Sequence, residues 1–413
     1  MELYHQFDNG LKLVANKIEG LMSVSVGVLV KTGSANESEQ ENGISHFIEH
    51  TVFKGTTNRS AFDISDGIDK IGAQINAFTS KELTCFYTKS TSDHLEESMD
   101  VLSDILFNAT FDEEELGKEK GVIIEEINMS EDTPEDICLD LLAESYYGKE
   151  GLGRTILGSV ENVKRFTVKD VRKYMDKYYT ADNIVISVAG NIDTDKTLEA
   201  VKRYFADKFT AKKSAPQVPF TGNRKGNLFR VKDIEQAHVA FSLPSVSMVD
   251  DRADAIGIAN LVLGGGMSSR LFQKIREELG LCYTVYSYPS QYKDSGVIEI
   301  YGGVNSSSRD LSATAIIEEI NKFKKSGITN AEFNRGKEQL KSSLVFGREN
   351  TATQMLLYGK YLLFLNKRFD FNKKIKEIEK ITEKDVADVI NEFFDTDLMA
   401  SATVGTENSP LKI

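Results

Sequence analysis

His46, Glu49 and His50 stand within one pentapeptide, His46-Phe47-Ile48-Glu49-His50. The run from about Asn42 to Val52 reads as a helix, and residues four apart on a helix share a face at a separation of about 6 Å. Two imidazoles so placed can hold one metal ion. Glu49, next to His50 and three after His46, leaves the helix near the same face, where a carboxylate can accept a proton from metal-activated water. The plain alternative is a solvated or hydrogen-bonded helix face without metal.

Zinc in hydrolases takes three protein ligands and leaves the fourth position to water, so a third ligand is sought. Asp112-Glu113-Glu114-Glu115 opens a long helix that should run to about Met129. Asp112 can cap it, Glu115 can complete a capping box, and the acids suit the positive end of the dipole. Glu119 and Glu126 are seven apart on that helix and share a face. The apolar Gly121-Val122-Ile123-Ile124 favours burial of Glu126, and a buried carboxylate needs a metal or a cation. Glu113 and Glu114 fit a solvated surface.

The elements that must position these residues read as α+β. Strands are expected within Leu11 to Lys31, with turns at Asn9-Gly10 and Glu19-Gly20, and a helix over about 60–71. Gln74 to Ser90 reads as strand, turn, strand, and Asn183 to Gly190 as a short apolar strand. Lys208 to Asn227, with Pro216, Pro219, Gly222 and Gly226, reads as a linker. The division is therefore 1–209, a linker over 210–227, and 228–413. The second half begins with strands from Leu228 to Leu243. Helices follow over about 253–263 and 269–279, then strands from Tyr283 to Val304, then helices to the end. This order repeats the first half at about 210 residues, which predicts two similar domains.

With its surroundings, the pentapeptide becomes specific. His46 to His50, Phe53-Lys54-Gly55-Thr56, Asn76-Ala77-Phe78-Thr79, and Glu119 with Glu126 resemble the pitrilysin/insulinase family of zinc metallopeptidases, the inverzincins. Within the family the chain resembles the branch containing the mitochondrial processing peptidase and its bacterial relatives, and the likeness covers nearly the whole chain. The resemblance implies that His46, His50 and Glu126 bind zinc, that Glu49 activates water, and that Glu119 supports the site from behind. Gly264-Gly265-Gly266-Met267-Ser268-Ser269-Arg270, then Arg276 and Tyr283, resemble the family's glycine-rich loop and arginine/tyrosine pair. By physics alone the glycines are equally a tight loop before a serine-capped helix, with Gly280 as its stop. The resemblance assigns the loop to substrate binding, and Arg276 and Tyr283 to the substrate carbonyl and its developing oxyanion. It also puts Asn76, Ala77 and Phe78 at a sheet edge where an extended peptide adds as a strand.

Composition narrows the class. The 413 residues carry 63 acidic and 50 basic side chains, a formal charge of −13, without a basic cluster to track phosphates, so nucleic acid is not an expected partner. Cys85, Cys138 and Cys282 are odd in number and outside any CxxC spacing, which suggests neither a disulfide framework nor a thiolate site. Met1 to Gln6 lacks the pattern of a signal peptide, and the most apolar stretch, near Leu21 to Val30, is broken by serines and glycine. A soluble cytoplasmic protein without a membrane partner is expected. His5, His94 and His238 have no ligand pattern, so one zinc per chain is expected.

The expected activity is endopeptide hydrolysis of peptides or unfolded segments in an enclosed chamber. Fused family members are about twice this length and close two halves around a chamber, so this chain resembles one half of a clam-shell. The resemblance implies a homodimer in which Arg276 and Tyr283 act in trans. The rivals are a non-catalytic scaffold subunit and a metal-free peptide-binding module of the same fold.

Overall fold

The computed structural model describes residues 2–210, 213–218, 220 and 222–412. Pro219, one of the residues that mark the linker, lies outside the described residues.

Two sheets organise the chain. The first contains β1 (Glu2–Gln6), β2 (Lys12–Lys17), β3 (Ser23–Val30), β4 (Gln74–Thr79), β5 (Thr84–Thr91) and β6 (Ile184–Gly190), in the order β1-β2-β6-β3-β5-β4. The second contains β7 (Asn227–Val231), β8 (Gln236–Ser245), β9 (Cys282–Gln291), β10 (Gly296–Asn305) and β11 (Ala400–Gly405), in the order β7-β11-β8-β10-β9. With β1 set aside, the two orders match strand for strand. Even the single parallel pair recurs, β2 with β6 and β7 with β11. The fold is α+β, built from one repeated topology.

In the first sheet β3 is buried on both faces. Val24, Val26, Val28 and Val30 enter a core with Phe47 and Ile48 of α1 (Ile44–Thr51) and with Met99 and Leu102 of α3 (Leu95–Asn108). The shorter α2 (Ala61–Lys70) adds Ile64 and Ile68 to that core. The alternate residues of β3 meet a helix from the far end of the chain, Thr351–Lys360. Ser25 Oγ lies 2.8 Å from Thr351 Oγ1, and Ser187 Oγ donates to the Met355 carbonyl at 2.7 Å. Glycine at position 27 makes the close approach possible, because a Cβ there would lie 2.2 Å from Met355 Sδ.

The second sheet receives a helix in the same way. α5 (Pro134–Tyr147) packs on β11, β8 and β7, and Ser145 Oγ donates to the Ser401 carbonyl at 2.9 Å. The compact units are therefore discontinuous. One comprises 1–127, 155–218 and 346–369, the other 128–154, 219–345 and 370–413. Helical periodicity reports that a face is apolar but not which sheet covers it, so a division at 210–227 does not capture the exchange of these two helices.

Three expectations are corrected. The chain does not continue as helices to its end: Ala400–Gly405 forms β11, inserted between β7 and β8. Its small residues are buried on both faces and show no strong alternation. The stretch expected as a helix over 269–279 includes a π-helix, Phe272–Glu278, with the Leu279 N–H bonded to the Lys274 carbonyl. The capping box of α4 (Glu113–Glu131) does not form. Asp112 Oδ1 does accept from the Glu114 and Glu115 N–H groups, but the Glu115 carboxylate pairs with Lys118 at 2.7 Å.

Candidate metal centre

α1 positions the histidines. Phe47, Ile48 and Ile44 bury its apolar face, which leaves His46 and His50 on adjacent turns with ring centroids 4.6 Å apart. α4 supplies the opposing carboxylate. Glu126 Oε2 lies 3.4 Å from His46 Nε2 and 3.3 Å from His50 Nε2, and one ligand atom from each of the three residues falls within a span of 4.8 Å. In a tetrahedral zinc site with bonds of about 2.0–2.1 Å, neighbouring ligand atoms are about 3.3–3.4 Å apart. Both contacts to Glu126 have that length.

The protonation states suit a metal. Burial, reinforced by the neighbouring His50, lowers the pKa of His46 to about 4, so its imidazole is neutral at ordinary pH. His50 Nδ1 lies 2.9 Å from Glu119 Oε1. A carboxylate there accepts the Nδ1 proton, which leaves the Nε2 lone pair facing Glu126 and the ligand position. Glu119 Oε2 in turn meets Lys54 Nζ at 2.7 Å. Two imidazoles and one carboxylate, one imidazole backed by a second carboxylate, form a donor set that fits zinc.

Of the two glutamates of α4, Glu126 departs from its expected burial. Glu119 is buried, whereas the Glu126 side chain is 41% exposed. The apolar run before Glu126 does not bury it, because α4 turns Leu116, Glu119 and Ile123 inward and leaves Val122 51% exposed. Glu126 continues that inward stripe by three residues and reaches its rim.

Glu49 points from α1 toward β4. Burial raises its pKa, Thr79 and His50 draw it partly back, and Glu126 pushes it up. Its Oε2 is buried without a hydrogen-bond partner among the described residues. An unpaired carboxylate oxygen beside three converging ligand atoms is arranged to take a proton.

β4 is the edge of its sheet, beside α1. Its alternation divides the three candidate residues. Ala77 packs into the core with Ile75, and Asn76 and Phe78 occupy the opposite face. Phe78 is half-buried, its ring 6.3 Å from that of Tyr87.

In the second unit, Arg276 and Tyr283 come together. The Arg276 guanidinium lies 4.7 Å from the Phe272 ring and 5.0 Å from the Tyr283 ring, and Tyr283 is 74% exposed. Gly264, Gly265 and Gly266 follow the helix Ala253–Leu263. Gly264 passes so close to β9 that a Cβ would lie 2.7 Å from the Ser287 nitrogen. Ser269 Oγ accepts from the Phe272 N–H at 3.4 Å, and Gly280 has φ +61°, the left-handed stop expected of it. Arg270 is structural, bound through both ends of its guanidinium to Glu332 at 2.8 Å and to the Gly327 carbonyl. His238 packs with Nδ1 2.6 Å from Tyr301 Oη.

Sequence reasoning gave no role to Lys54 or Thr79, although both stand in the motifs it singled out. The usable signal for Lys54 was its place in the turn just past the end of α1, a cation close in sequence to His50.

The chain is similar to known proteins along nearly its whole length. Residues 13–160 match the model of the insulinase family, peptidase family M16, and residues 165–340 match the peptidase M16 inactive domain. A Bacillus subtilis protein named uncharacterized zinc protease YmxG is 41% identical over 97% of this chain and 98% of its own length. An uncharacterized zinc protease of Streptomyces coelicolor is 36% identical over 91% of this chain and 84% of its own. The fold is shared with a crystal structure of a protease from Helicobacter pylori, at a TM-score of 0.91 and 23% identity, covering 98% of this chain and 99% of that one. With both of its halves matched and its relatives aligned almost from end to end, the chain belongs to the insulinase family of peptidases, M16.

Proposed function

We propose that this chain is a zinc-dependent endopeptidase that binds one zinc ion through His46, His50 and Glu126. The observation that carries the reading is the convergence of His46 Nε2 and His50 Nε2 on Glu126 Oε2 at tetrahedral-edge distances, beside the unpaired oxygen of Glu49. A zinc ion held there supplies Lewis acidity that polarises the scissile carbonyl and lowers the pKa of water toward neutrality. Glu49 takes the proton of the attacking water and passes it to the leaving amine. Glu119 holds His50 in the tautomer that binds through Nε2. The open edge of β4 offers backbone groups to an extended peptide, selecting unfolded segments over folded ones. Arg276 and Tyr283 stabilise the developing oxyanion, a role that suits a cation and a phenol.

The family's two-halved architecture supports a homodimer around a chamber, with Arg276 and Tyr283 acting on a peptide bound at the partner's zinc. Mixed and exchanged E49Q and R276A chains, each inactive alone, should then regain activity; failure to do so removes action in trans.

The central test is mass spectrometry of a mixed peptide set incubated with zinc-loaded protein and with its Glu49→Gln variant. The variant should hold one zinc and lose about 10²–10⁴ of the turnover. Equal cleavage by both would overturn the role of Glu49. Zinc binding without cleavage in either would favour a scaffold or peptide-binding subunit.

A further inference from the structure

The metal helix cannot cap itself. Gly43, just before α1, has φ +98°, and a Cβ there would lie 2.7 Å from the Leu157 carbonyl oxygen. Glycine alone fits, and glycine offers no side chain to the free N–H groups of the first turn. Those groups are received by Glu37. Its Oε2 accepts from the Gly43 N–H at 2.7 Å and from Asn42 Nδ2 at 3.0 Å, and its Oε1 accepts from the Ser45 N–H at 2.8 Å. Glu37 is 2% exposed.

The surroundings hold this arrangement firmly. Asn42 Nδ2 also donates to the Thr155 carbonyl at 2.9 Å, and Asn162 Nδ2 donates to the Asn42 carbonyl at 3.1 Å. The Ser45 hydroxyl donates to Tyr174 Oη at 3.0 Å, which lies 2.8 Å from Thr32 Oγ1. Burial raises the Glu37 pKa, while Ser45, Asn42 and Gly43 draw it down. All three groups bonded to its carboxylate are donors. An amide of equal size would have to turn its NH₂ toward one donor set or the other.

We propose that Glu37 is the positioning residue of the metal helix, whose two carboxylate oxygens fix the start of α1 and thereby the placement of His46, three residues into the helix, and of Glu49 one turn on. This rests on reading His46, His50 and Glu126 as zinc ligands. An acidic cap also suits the positive end of the helix.

The test compares Glu37→Gln with Thr382→Ala, which removes an ordinary cap, the hydroxyl that accepts from the Asp385 N–H, in a helix of the second unit. Zinc affinity is read by chelator competition on folded protein, alongside melting temperature and the split between kcat and KM. E37Q should bind zinc about tenfold more weakly, with kcat reduced about 10–100-fold and KM within about twofold. T382A should change the melting temperature alone. E37Q that melts earlier yet holds zinc as tightly as the parent would reduce Glu37 to a stabilising cap and overturn the proposal. If E37Q does not fold, Glu37→Asp, with both acceptors on a stem one methylene shorter, carries the same reading: weaker zinc supports the proposal and unchanged zinc overturns it. A parent protein that binds no zinc would instead overturn the reading of the site itself.

Discussion

At the scale of single residues, the chemistry depends on how three carboxylates close together in space are made different. Glu126 sits half-exposed at the rim and faces two imidazoles, Glu119 is buried between His50 and Lys54, and Glu49 is half-buried with one buried, unpaired oxygen. In the proposed function, ligand, support and base are one residue type separated by environment. Outer partners of metal-binding histidines typically contribute 10–100-fold in affinity. Glu119→Gln, which still fills its space but turns an NH₂ toward His50 or Lys54, should therefore weaken zinc binding by about that factor. Chelator competition measures it, and an unchanged affinity would show that His50 needs no support.

At the scale of elements, each sheet binds a helix from the other half of the chain, and small residues set the closeness of approach. Met355 is fully buried, so its sulfur has no free space into which to yield to a methyl on Gly27. Gly27→Ala should destabilise the protein by about 1–3 kcal/mol through overpacking. Met355→Ala should destabilise it by about 2–5 kcal/mol through a cavity. The double variant should be more stable than the sum predicts by at least about 1 kcal/mol, because the new methyl partly fills the cavity. Urea unfolding of the four proteins gives the coupling, and strict additivity would mean that helix and strand do not meet as described.

At the scale of the whole molecule, stability in acid follows from ion pairs that hold each unit together. Arg270, the last residue of the glycine-rich segment, binds Glu332 and with Thr329 holds its pKa at about 2, below the ordinary value of 4.5. A carboxylate whose pKa is depressed on folding contributes stability that is full above its unfolded pKa and is lost as the pH falls through the folded one. Glu332→Gln should therefore lower the stability of the metal-free protein by about 2 kcal/mol near pH 7. The difference from the parent should shrink between pH 4.5 and 2. Denaturant titrations at several pH values test this, and a difference independent of pH would assign the effect instead to the hydrogen bonds that the Thr329 N–H and hydroxyl donate to Glu332 Oε2.

Much of this was legible in the sequence because it depends on local spacing. Four residues of separation place His46 and His50 on one helix face, seven place Glu119 and Glu126 on another, and alternation with turn residues marks most strands. The repeat near 210 residues announces the shared topology that the two sheets display strand for strand. What the tertiary structure decided are the facts that depend on partners distant in the chain. It buried Glu119 and left Glu126 at the rim, because the inward stripe of α4 depends on what packs against it. It turned Ala77 rather than Asn76 toward the core, gave β11 its place inside a sheet begun some 170 residues earlier, and sent two helices to the sheet of the other half. Periodicity states which side of an element avoids water; only packing selects what covers it.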